Sequence, residues 1–360
     1  MKKIKVAVIG CGRIANAAHI PAYMSNENSE IKYFCDIIPE KAEKAVAEYG
    51  CGIAITDYHI ALNDPEIDAV SVCAHTNMHY QVSIDAMRAG KDVLSEKPVA
   101  RTYKEAEEML AVQKETGRLL AIGVCTRYHT QVEKVRQLIA EGALGEVYHA
   151  YCSFRTGNHG IPGIGGEFTT KAISGGGVLI DHGVHYLDQL LYMLGGPELK
   201  SVSGKAYSKI GTPLKDYQYE IGHMWAEDTV DFENGTFDVD DFVTGFIQTK
   251  NGPTISFNGA WAQNVFEDDK YIDFMGTKAG IRLYYCGNYK LYYFKDYQKV
   301  EEEGEMPESL PIHTAEVYDF IDAVINKKPV RNDISDLMTT AKLLQAIYDS
   351  SETGKEIIFE

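Results

Sequence analysis

The chain has 360 residues, which is long for a single core and favours two domains. Its net charge of -17 disfavours nucleic acid as a partner, because phosphate backbones would be repelled. The seven cysteines lack CxxC spacing and no stretch approaches 18 apolar residues, so the sequence predicts free thiols, no membrane span and a cytoplasmic protein.

The first third of the chain alternates predicted strands and helices. The strands are short, near-continuous apolar runs, typical of parallel strands buried on both faces: 3–9, 31–35, 69–73, 92–95 and 119–124. Helical periodicity covers 39–49, 79–89 and 102–116, and a glycine (Gly50, Gly90 or Gly117) directly follows each segment. This rhythm predicts a doubly wound parallel sheet over residues 1–124.

After residue 124 the predicted strands become longer and alternate in polarity. They cover 146–155, 242–249, 254–261, 271–275 and 290–294, and Lys250-Asn251-Gly252 is a hairpin-type turn between two of them. Two helices close the chain, near 314–326 and 333–350. Residues 125–360 are therefore predicted to form an α/β domain with a large, open, mainly antiparallel sheet and helices on one side.

A long loop over 206–239 carries aromatic residues beside many acids. Long loops in compact domains are often functional, and aromatic rings can stack on sugar rings. A surface insertion with a solvated acidic face explains the composition equally well. The aromatic side chains in question are Tyr207, Tyr217, Tyr219, His223 and Trp225.

A glycine-rich turn follows the first predicted strand. In Gly10-x-Gly12-x-x-Ala15 the first glycine permits a tight turn, the second lets the backbone approach a pyrophosphate, and the third position needs only a small side chain. Asp36 ends the second strand, where a carboxylate would bind a ribose hydroxyl and repel a 2′-phosphate. The two signals predict NAD rather than NADP, although Asp36 alone would also suit a plain turn before Pro39.

The tripeptide Glu96-Lys97-Pro98 directly follows a predicted parallel strand, at the edge where such sheets bind ligands. A lysine there can donate a hydrogen bond to a substrate hydroxyl, and its charge stabilises a developing alkoxide. Glu96 is placed to orient Lys97. On its own, the tripeptide is more typical of a surface ion pair before a helix.

The triple glycine at 175–177 precedes a helical segment with a polar stripe. Asp181, His185 and Asp188 recur at i, i+4 and i+7 beside an apolar face. A carboxylate one turn before a histidine can fix its tautomer and raise its basicity, which suits a general base for a hydroxyl proton. A polar helix edge is the alternative, and His182, about 100° around the helix from Asp181, is left open.

Together these groups predict a nicotinamide-dependent oxidoreductase that acts on a polyhydroxylated small molecule. A metal site is the alternative, since 11 histidines are present and His75 and His79 are four apart. Neither an HExxH motif nor a cysteine-rich ligand set occurs, and Lys97 can supply the positive charge. The sequence therefore predicts no catalytic metal.

With these motifs, nearly the whole chain resembles the glucose–fructose oxidoreductase/inositol dehydrogenase/MocA family. The resemblance is carried by residues 8–15, 76–79, 89–98, 174–185 and 346–355, in this order. It implies an N-terminal Rossmann domain and a C-terminal α/β domain whose open sheet packs against another subunit. A homodimer or homotetramer is the expected assembly.

The resemblance also implies roles for single residues. Lys97, Asp181 and His185 would form the catalytic group. Cofactor contacts would come from Gly10, Gly12, Arg13, Ile14, Asp36, Thr76, Asn77, His79, Glu96, Lys97 and Arg127. Residues 159–171 resemble the branch that oxidises sugars and glycosides, and the implied substrate contacts are Lys97, Arg155, His159, Lys171, Asp181, His185 and Trp225. Two departures are His75, where relatives usually have proline, and His182, where they usually have an apolar residue.

The prediction is thus an NAD-dependent dehydrogenase that oxidises a secondary hydroxyl of a sugar, sugar derivative, glycoside or inositol. One alternative is a glycosidase that oxidises a ring hydroxyl transiently, eliminates the aglycone and reduces the ring with the same NAD. The other is a non-catalytic NAD-binding sensor. Relatives of that last kind tend to lose the catalytic lysine or histidine, and this chain keeps both.

Overall fold

The structure is a computed structural model, and it describes residues 3–157, 159–219, 229–305 and 308–359. The chain forms two units, Met1–Tyr128 with Leu310–Met338, and His129–Ser309 with Thr339–Glu360. The sequence places everything after residue 124 in the second domain, whereas the structure groups Leu310–Met338 with the first unit. The reason is a helix in that segment whose apolar face packs into the core of the first unit, through Val317 and Phe320.

The first unit is built from alternating strands and helices. Its elements are β1 (Ile4–Ile9), α1 (Ile20–Ser25), β2 (Ser29–Cys35), α2 (Pro39–Tyr49), β3 (Ile53–Ile55), α3 (Tyr58–Leu62), β4 (Ala69–Val72), α4 (Thr76–Arg88), β5 (Asp92–Glu96), α5 (Tyr103–Thr116), β6 (Leu120–Gly123) and, after the second unit's strands, α9 (Ile312–Asn326). Strands β1, β4 and β6 are almost entirely buried and mainly apolar, as expected for strands covered on both faces. Strand β5 is equally buried, although three of its five residues, Asp92, Ser95 and Glu96, are polar.

The six strands of this unit form one parallel sheet in the order β3-β2-β1-β4-β5-β6. This confirms the predicted doubly wound sheet. The strand order reverses between β1 and β4, and ligands of such sheets bind beyond the carboxyl ends of the strands at this point. The residues that follow β1, β2, β4 and β5 therefore meet at the ligand-binding edge.

Helix α4 begins at Thr76, three residues earlier than predicted. Thr76 and Asn77 weaken an apolar pattern that starts clearly only at His79, but they are suitable residues for a first helical turn. His75 just before the helix has φ −62° and ψ 153°, which is the backbone conformation that proline imposes. The backbone of His75 would therefore also accept a proline.

The second unit contains a mixed sheet and the helices that cover it. Its elements are α6 (Thr130–Ala140), β7 (Val147–Arg155), α7 (Lys171–Ser174), α8 (Val184–Met193), β8 (Leu199–Tyr207), β9 (Phe242–Thr249), β10 (Thr254–Ala260), β11 (Asp269–Gly276), β12 (Ala279–Tyr284), β13 (Tyr289–Lys295), β14 (Gln298–Glu303), α10 (Ile334–Thr353), whose first turns belong to the first unit, and β15 (Ile357–Ile358).

The nine strands described in this unit have the order β14-β13-β12-β11-β7-β10-β9-β8-β15. The pair β7–β10 is parallel and the other pairs are antiparallel. The predicted hairpin at Lys250-Asn251-Gly252 joins β9 to β10. The prediction of a large, mainly antiparallel sheet is confirmed.

The two faces of this sheet differ in character. One face is the core, where Phe154, Phe257 and Phe274 are almost fully buried with Leu187 of α8. The opposite face leaves large apolar side chains exposed, because alternate residues of each strand point away from the core.

Among the described helices, none combines the length and apolar character that a membrane span needs.

Candidate active site

The glycine turn after β1 has the geometry of a dinucleotide cradle. Gly10 has φ +91°, and a Cβ there would lie 2.6 Å from the backbone nitrogen of Ala74, so only glycine fits. Its N–H donates to the carbonyl of Cys35 at 2.8 Å. This contact holds the ends of β1 and β2 together.

Gly12 has a different surrounding from Gly10. A Cβ built on Gly12 meets nothing within 4 Å. The open space above its backbone is what a pyrophosphate needs when it approaches the start of a helix. The helical turn that follows (Ala15–His19) widens to i→i+5 hydrogen bonding and continues directly into α1.

Asp36 at the end of β2 fixes this turn. One carboxylate oxygen accepts the N–H of Cys11 at 2.9 Å, and the other accepts the N–H of Ile38 at 2.9 Å. The side chain is half-buried, and each oxygen has a further lone pair for a ribose hydroxyl. Gly10, the space over Gly12 and Asp36 thus fit NAD together.

The other predicted cofactor residues of the first unit differ in exposure. Thr76 and Asn77 are half-buried at the start of α4, next to the switch point. Arg13 is exposed and Ile14 is half-buried, both directly after Gly12. They stay predictions as cofactor contacts.

His79 is buried, with 1% of its surface exposed. Its Nδ1 lies 2.9 Å from the carbonyl of Pro98, and its Nε2 lies 3.0 Å from the carbonyl of Ala74. Burial lowers the pKa of His79, and the two carbonyl contacts oppose this only in part. The ring therefore braces the loop after β4 against the loop after β5.

Arg127 is also buried, in the short turn Cys125–Tyr128 after β6. Its guanidinium donates to the carbonyls of Arg331 and Asp336 at 3.2 and 3.3 Å. Arg331 donates back to the carbonyl of Arg127 at 3.0 Å. These contacts anchor Leu310–Met338 in the first unit, and a cofactor contact of Arg127 stays a prediction.

Lys97 follows β5 at the ligand-binding edge and is half-buried. The carboxylate of Glu96 accepts the backbone N–H of Lys97 at 3.0 Å. The other carboxylate oxygen of Glu96 lies 2.8 Å from Nε2 of His19. Glu96 therefore holds the main chain of Lys97, and the peptide bond to Pro98 is cis.

In the second unit, Asp181 lies in a wide helical turn (Leu179–Gly183) that runs into α8. Its carboxylate accepts the indole N–H of Trp261 at 3.0 Å and lies 3.4 Å from Nε2 of His182. Trp261 is fully buried directly after β10. The acid thus has a fixed donor, and His182 belongs to the same polar cluster.

The polar stripe predicted on this segment divides. Asp181 and His185 are half-buried, but Asp188 is fully buried and accepts the hydroxyl of Thr340 at 3.0 Å. Asp188 is therefore an interior residue of the second unit. Asp181 and His185 keep the exposure that a reactive group needs.

Asp240 explains the third of the three glycines, Gly177. A Cβ on Gly177 would lie 1.9 Å from the carbonyl oxygen of Asp240. The Asp240 carboxylate accepts the N–H groups of Gly177 and Leu179 at 2.9 Å each, and Tyr348 donates its hydroxyl at 2.6 Å. Burial raises the pKa of Asp240, and these hydrogen bonds oppose that rise. The carboxylate fixes the turn that carries Asp181.

The predicted substrate residues lie in varied settings. Arg155 ends β7 on the face opposite Phe154 and pairs with Asp269. His159 has φ +51°, and its ring nitrogens lie 2.7 Å from the carbonyl of Gln218 and 3.1 Å from Asn264 Oδ1. Lys171 is exposed, and its Nζ lies 3.4 Å from Glu352.

The long loop contains a stack of aromatic rings. Tyr217 lies between His159 and Tyr219, at ring-centre distances of 5.9 and 6.1 Å, and Tyr219 stacks on Phe232 at 6.0 Å. Tyr217 is buried, whereas Tyr219 is 37% exposed. Trp225 and His223 lie outside the described residues.

Three contributors were not found from the sequence: His19, Asp240 and Trp261. The spacing of a histidine after the glycine turn, the acid pair before β9 and the tryptophan after β10 are the available signals, but none of them names its partner. Among the described residues, no group of three or more His, Cys, Asp or Glu side chains has the geometry to hold a metal ion.

The sheet order, the glycine turn and Asp36 define a dinucleotide-binding oxidoreductase fold. Residues 4–124 match the model described as the oxidoreductase family with an NAD-binding Rossmann fold, and residues 132–282 match the GFO/IDH/MocA C-terminal domain. The chain belongs to the Gfo/Idh/MocA oxidoreductase family. It is an NAD-dependent oxidoreductase of the type to which sugar dehydrogenases belong.

Relatives match over different lengths. D-glucoside 3-dehydrogenase of Escherichia coli (strain K12) is 29% identical over 362 residues, which span 98% of this chain and 97% of that protein. A dTDP-3,4-didehydro-2,6-dideoxy-alpha-D-glucose 3-reductase of Actinomadura kijaniata is 32% identical over 51% of this chain and 53% of that protein.

Solved structures share the fold over the full length. Levoglucosan dehydrogenase in complex with NADH and levoglucosan aligns with a TM-score of 0.85 at 20% identity, covering 99% of each chain. Aldose-aldose oxidoreductase from Caulobacter crescentus aligns with a TM-score of 0.82 at 20% identity, covering 99% of this chain and 100% of that chain. At these identities the likeness shows the fold.

Proposed function

We propose that this protein oxidises a secondary hydroxyl of a sugar, sugar derivative, glycoside or inositol, with NAD as the hydride acceptor. The observation that carries the proposal lies in the first unit. The glycine turn, Asp36 and Lys97 follow β1, β2 and β5, and so occupy one edge of one parallel sheet. A lysine at this edge supports a role in chemistry beside the nicotinamide rather than in a surface ion pair.

The proposed mechanism assigns each step to a residue. Bound NAD supplies the acceptor for the hydride that leaves the carbinol carbon. The ammonium of Lys97 donates to the hydroxyl oxygen and stabilises the negative charge that develops there. The imidazole of His185 takes the hydroxyl proton, so that the carbon becomes a ketone. Asp181 orients His185, and the indole N–H of Trp261 holds the Asp181 carboxylate in place.

The substrate class is supported by the relatives. D-glucoside 3-dehydrogenase spans almost the same length as this chain. An inositol 2-dehydrogenase/D-chiro-inositol 3-dehydrogenase of Lactiplantibacillus plantarum is 30% identical over 39% of this chain. Beside the buried ring of Tyr217, the rings of His159 and Tyr219 keep part of their surface exposed, and an exposed aromatic face suits a pyranose or cyclitol ring.

The test is to incubate the purified full chain with NAD and a panel of hexoses, inositols and glycosides. NADH absorbance and reaction products are followed together. A dehydrogenase accumulates NADH and a keto product. Free sugar without net NADH would instead identify a glycosidase cycle, and tight NAD binding without turnover on the whole panel would identify a sensor.

Two variants test the assigned residues. Lys97→Met and His185→Asn should each lower kcat by about 10²–10⁴-fold on a confirmed substrate, because the first removes the charge that stabilises the developing oxyanion and the second removes the general base. Lys104→Met and His59→Asn are matched controls, since both side chains are exposed elsewhere in the first unit. Near wild-type turnover of Lys97→Met and His185→Asn would refute the role assignment.

We also propose that the exposed face of the nine-stranded sheet pairs with a second copy of this chain. Register places five large side chains, each at least 37% exposed, on this face: Phe246, Met275, Tyr284, Tyr292 and Phe294. An apolar patch of this kind on a sheet face is typical of an interface. Phe294→Asp with Tyr284→Asp should shift the mass in light scattering from dimer or tetramer to monomer, and an unchanged mass would refute this surface.

A further inference from the structure

His19 is a fully buried histidine that the mechanism above does not use. It ends the helical turn that follows the glycine cradle, and its ring contacts two strands of the sheet. Nδ1 lies 2.8 Å from the hydroxyl of Ser71 in β4, and Nε2 lies 2.8 Å from Oε1 of Glu96 at the end of β5. One side chain thus joins the cofactor turn to the strand that carries the Glu-Lys-Pro motif.

The second contact of Glu96 extends this connection to Lys97. A carboxylate only accepts hydrogen bonds, so Nε2 of His19 is the donor to Oε1. Oε2 accepts the backbone N–H of Lys97 at 3.0 Å. The carboxylate also packs against β6, where a Cβ on Gly123 would lie 3.0 Å from Oε1. Both oxygens are therefore engaged, and the side chain has no room to turn.

The charges support an ionised pair. Burial would raise the pKa of Glu96, but the hydrogen bond and charge of His19 lower it to about 2. Burial would likewise lower the pKa of His19, but Cys73 and Glu96 raise it well above 6.5. The other charged or titratable groups that act on the pair are Cys73, Lys97, His313 and Glu316.

We propose that His19 is a positioning residue for catalysis: through Glu96 it sets the main chain of Lys97, and so couples the cofactor turn to the catalytic lysine. This inference rests on the proposed function of Lys97. When two successive hydrogen bonds hold the main chain of Lys97, the flexible side chain starts from one fixed point, which narrows the region that its ammonium can reach and spares part of the reorganisation that would otherwise raise the barrier.

Two substitutions of His19 separate positioning from folding. His19→Leu removes the donor to Glu96, and kcat should fall on the order of 100-fold, because a buried charged group loses its partner. His19→Gln retains a neutral N–H donor at about the position of Nε2, and kcat should fall by roughly 10-fold or less. KM and the Kd for NADH should stay within about threefold of wild type in both.

A double-mutant cycle tests the route through Glu96. The double variant His19→Leu/Glu96→Gln should lower kcat no more than the more damaging of the two single variants, because both substitutions disrupt the same His19–Glu96 connection. His59→Gln serves as the matched control, since His59 is an exposed histidine of the same unit. Additive losses in the double variant would overturn the inference, as would wild-type kcat in His19→Leu.

A spectroscopic measurement checks the ion pair without turnover. In the cofactor-free full chain, nitrogen NMR of histidine should show both ring nitrogens of His19 protonated near neutral pH, and Glu96→Gln should remove one proton. A wild-type ring without a proton on Nε2 would overturn the inference, because Glu96 would then have no donor. Failure of Lys97→Met to lower activity would overturn the proposed function itself, whereas a loss in Lys97→Met with wild-type rates in His19→Leu would overturn only the role of His19.

Discussion

The two glycines of the cofactor turn should respond in opposite ways to one added methyl group. Gly10 has φ +91°, and its missing Cβ would lie 2.6 Å from the Ala74 nitrogen and 2.7 Å from the carbonyl of Cys73. These are backbone atoms of the β4 end and cannot rotate away. Gly12 has no atom within 4 Å of the same position. Gly10→Ala therefore perturbs the fold, and Gly12→Ala perturbs only what binds over it.

The magnitudes follow from these surroundings. A left-handed backbone costs a non-glycine residue about 1–2 kcal/mol, and an overpacked site costs roughly 1–3 kcal/mol more. We expect Gly10→Ala to lower the unfolding free energy by about 2–5 kcal/mol, which lowers Tm on the order of 10 °C in a unit of this size. Gly12→Ala should leave Tm within about 2 °C and weaken NADH binding by about 10–100-fold, through lost charge-assisted hydrogen bonds worth roughly 1.5–3 kcal/mol.

The assay uses the same two variants twice. Thermal unfolding is followed by circular dichroism without cofactor, and NADH binding is measured by calorimetric titration well below either Tm. If Gly10→Ala melts with the wild type, the close approach of the β1 and β4 ends is wrong. If Gly12→Ala binds NADH like the wild type, the pyrophosphate does not lie over Gly12.

Three further changes test other contacts. Asp36→Asn keeps an acceptor but removes the negative charge. NADPH should gain at least about tenfold in affinity relative to NADH, because the Asp36 carboxylate and a 2′-phosphate about 4 Å apart repel by roughly 1–4 kcal/mol. If titration shows an unchanged ratio of the NADPH and NADH affinities, Asp36 does not lie at the ribose site. Trp261→Phe removes the indole N–H, whose nitrogen lies 3.0 Å from the Asp181 carboxylate, and steady-state kinetics should show kcat lowered by about 10–100-fold. Tyr289→Phe is the control for loss of a polar group from an aromatic side chain, and an equal fall of kcat in that variant would count against this reasoning. Burial lowers the pKa of His79 below 6.5, so unfolding takes up a proton in acid, and urea denaturation should show stability falling as pH drops below 6.5. His79→Asn should reduce this slope, to which His129 also contributes because burial lowers its pKa too; an unchanged slope would count against the buried, neutral His79.

The parallel sheet could be predicted because its signals are local. Its strands are buried on both faces, and its helices carry standard ends. Gly50 and Gly117 end α2 and α5 with φ of 65° and 64°, and the hydroxyl of Thr102 accepts the N–H of Glu105 at 3.2 Å. Each of these features needs only a few neighbouring residues.

Strand β14 shows why parts of the second sheet could not be predicted. Its sequence, Gln298–Glu303, is mostly charged and exposed, so it carries no apolar alternation. It is a strand because β13 offers it a backbone ladder at the edge of the sheet. Helix α9 was predicted nearly in full, but its packing in the first unit depends on contacts that are distant in sequence.

The same reason limited the prediction of the site. The residues that handle protons have recognisable spacing, but their partners are 60 or more positions away: His19 and Glu96 are 77 apart, Asp240 and Gly177 are 63 apart, and Trp261 and Asp181 are 80 apart. Only the folded chain brings them together. The prediction that Glu96 orients Lys97 depended only on their being neighbours in sequence. In the structure the Glu96 carboxylate accepts the backbone N–H of Lys97 rather than a hydrogen bond from its ammonium.

Several turns of both units, including those that carry the candidate site residues, are each held by a carboxylate that accepts backbone N–H groups. Asp36 accepts two at the cofactor turn, Glu96 accepts one beside Lys97, Asp240 accepts two ahead of Asp181, and Asp241 accepts three from residues 209–211. Such bonds are stronger than neutral ones and leave side chains little freedom. Replacing any of these carboxylates by the matching amide (Asp→Asn or Glu→Gln) keeps the shape of the side chain. Where both carboxylate oxygens accept a hydrogen bond, however, the amide NH₂ group then faces a donor and that hydrogen bond is lost. The loss should therefore appear first as imprecise positioning of the reactive groups, with the sheets themselves intact.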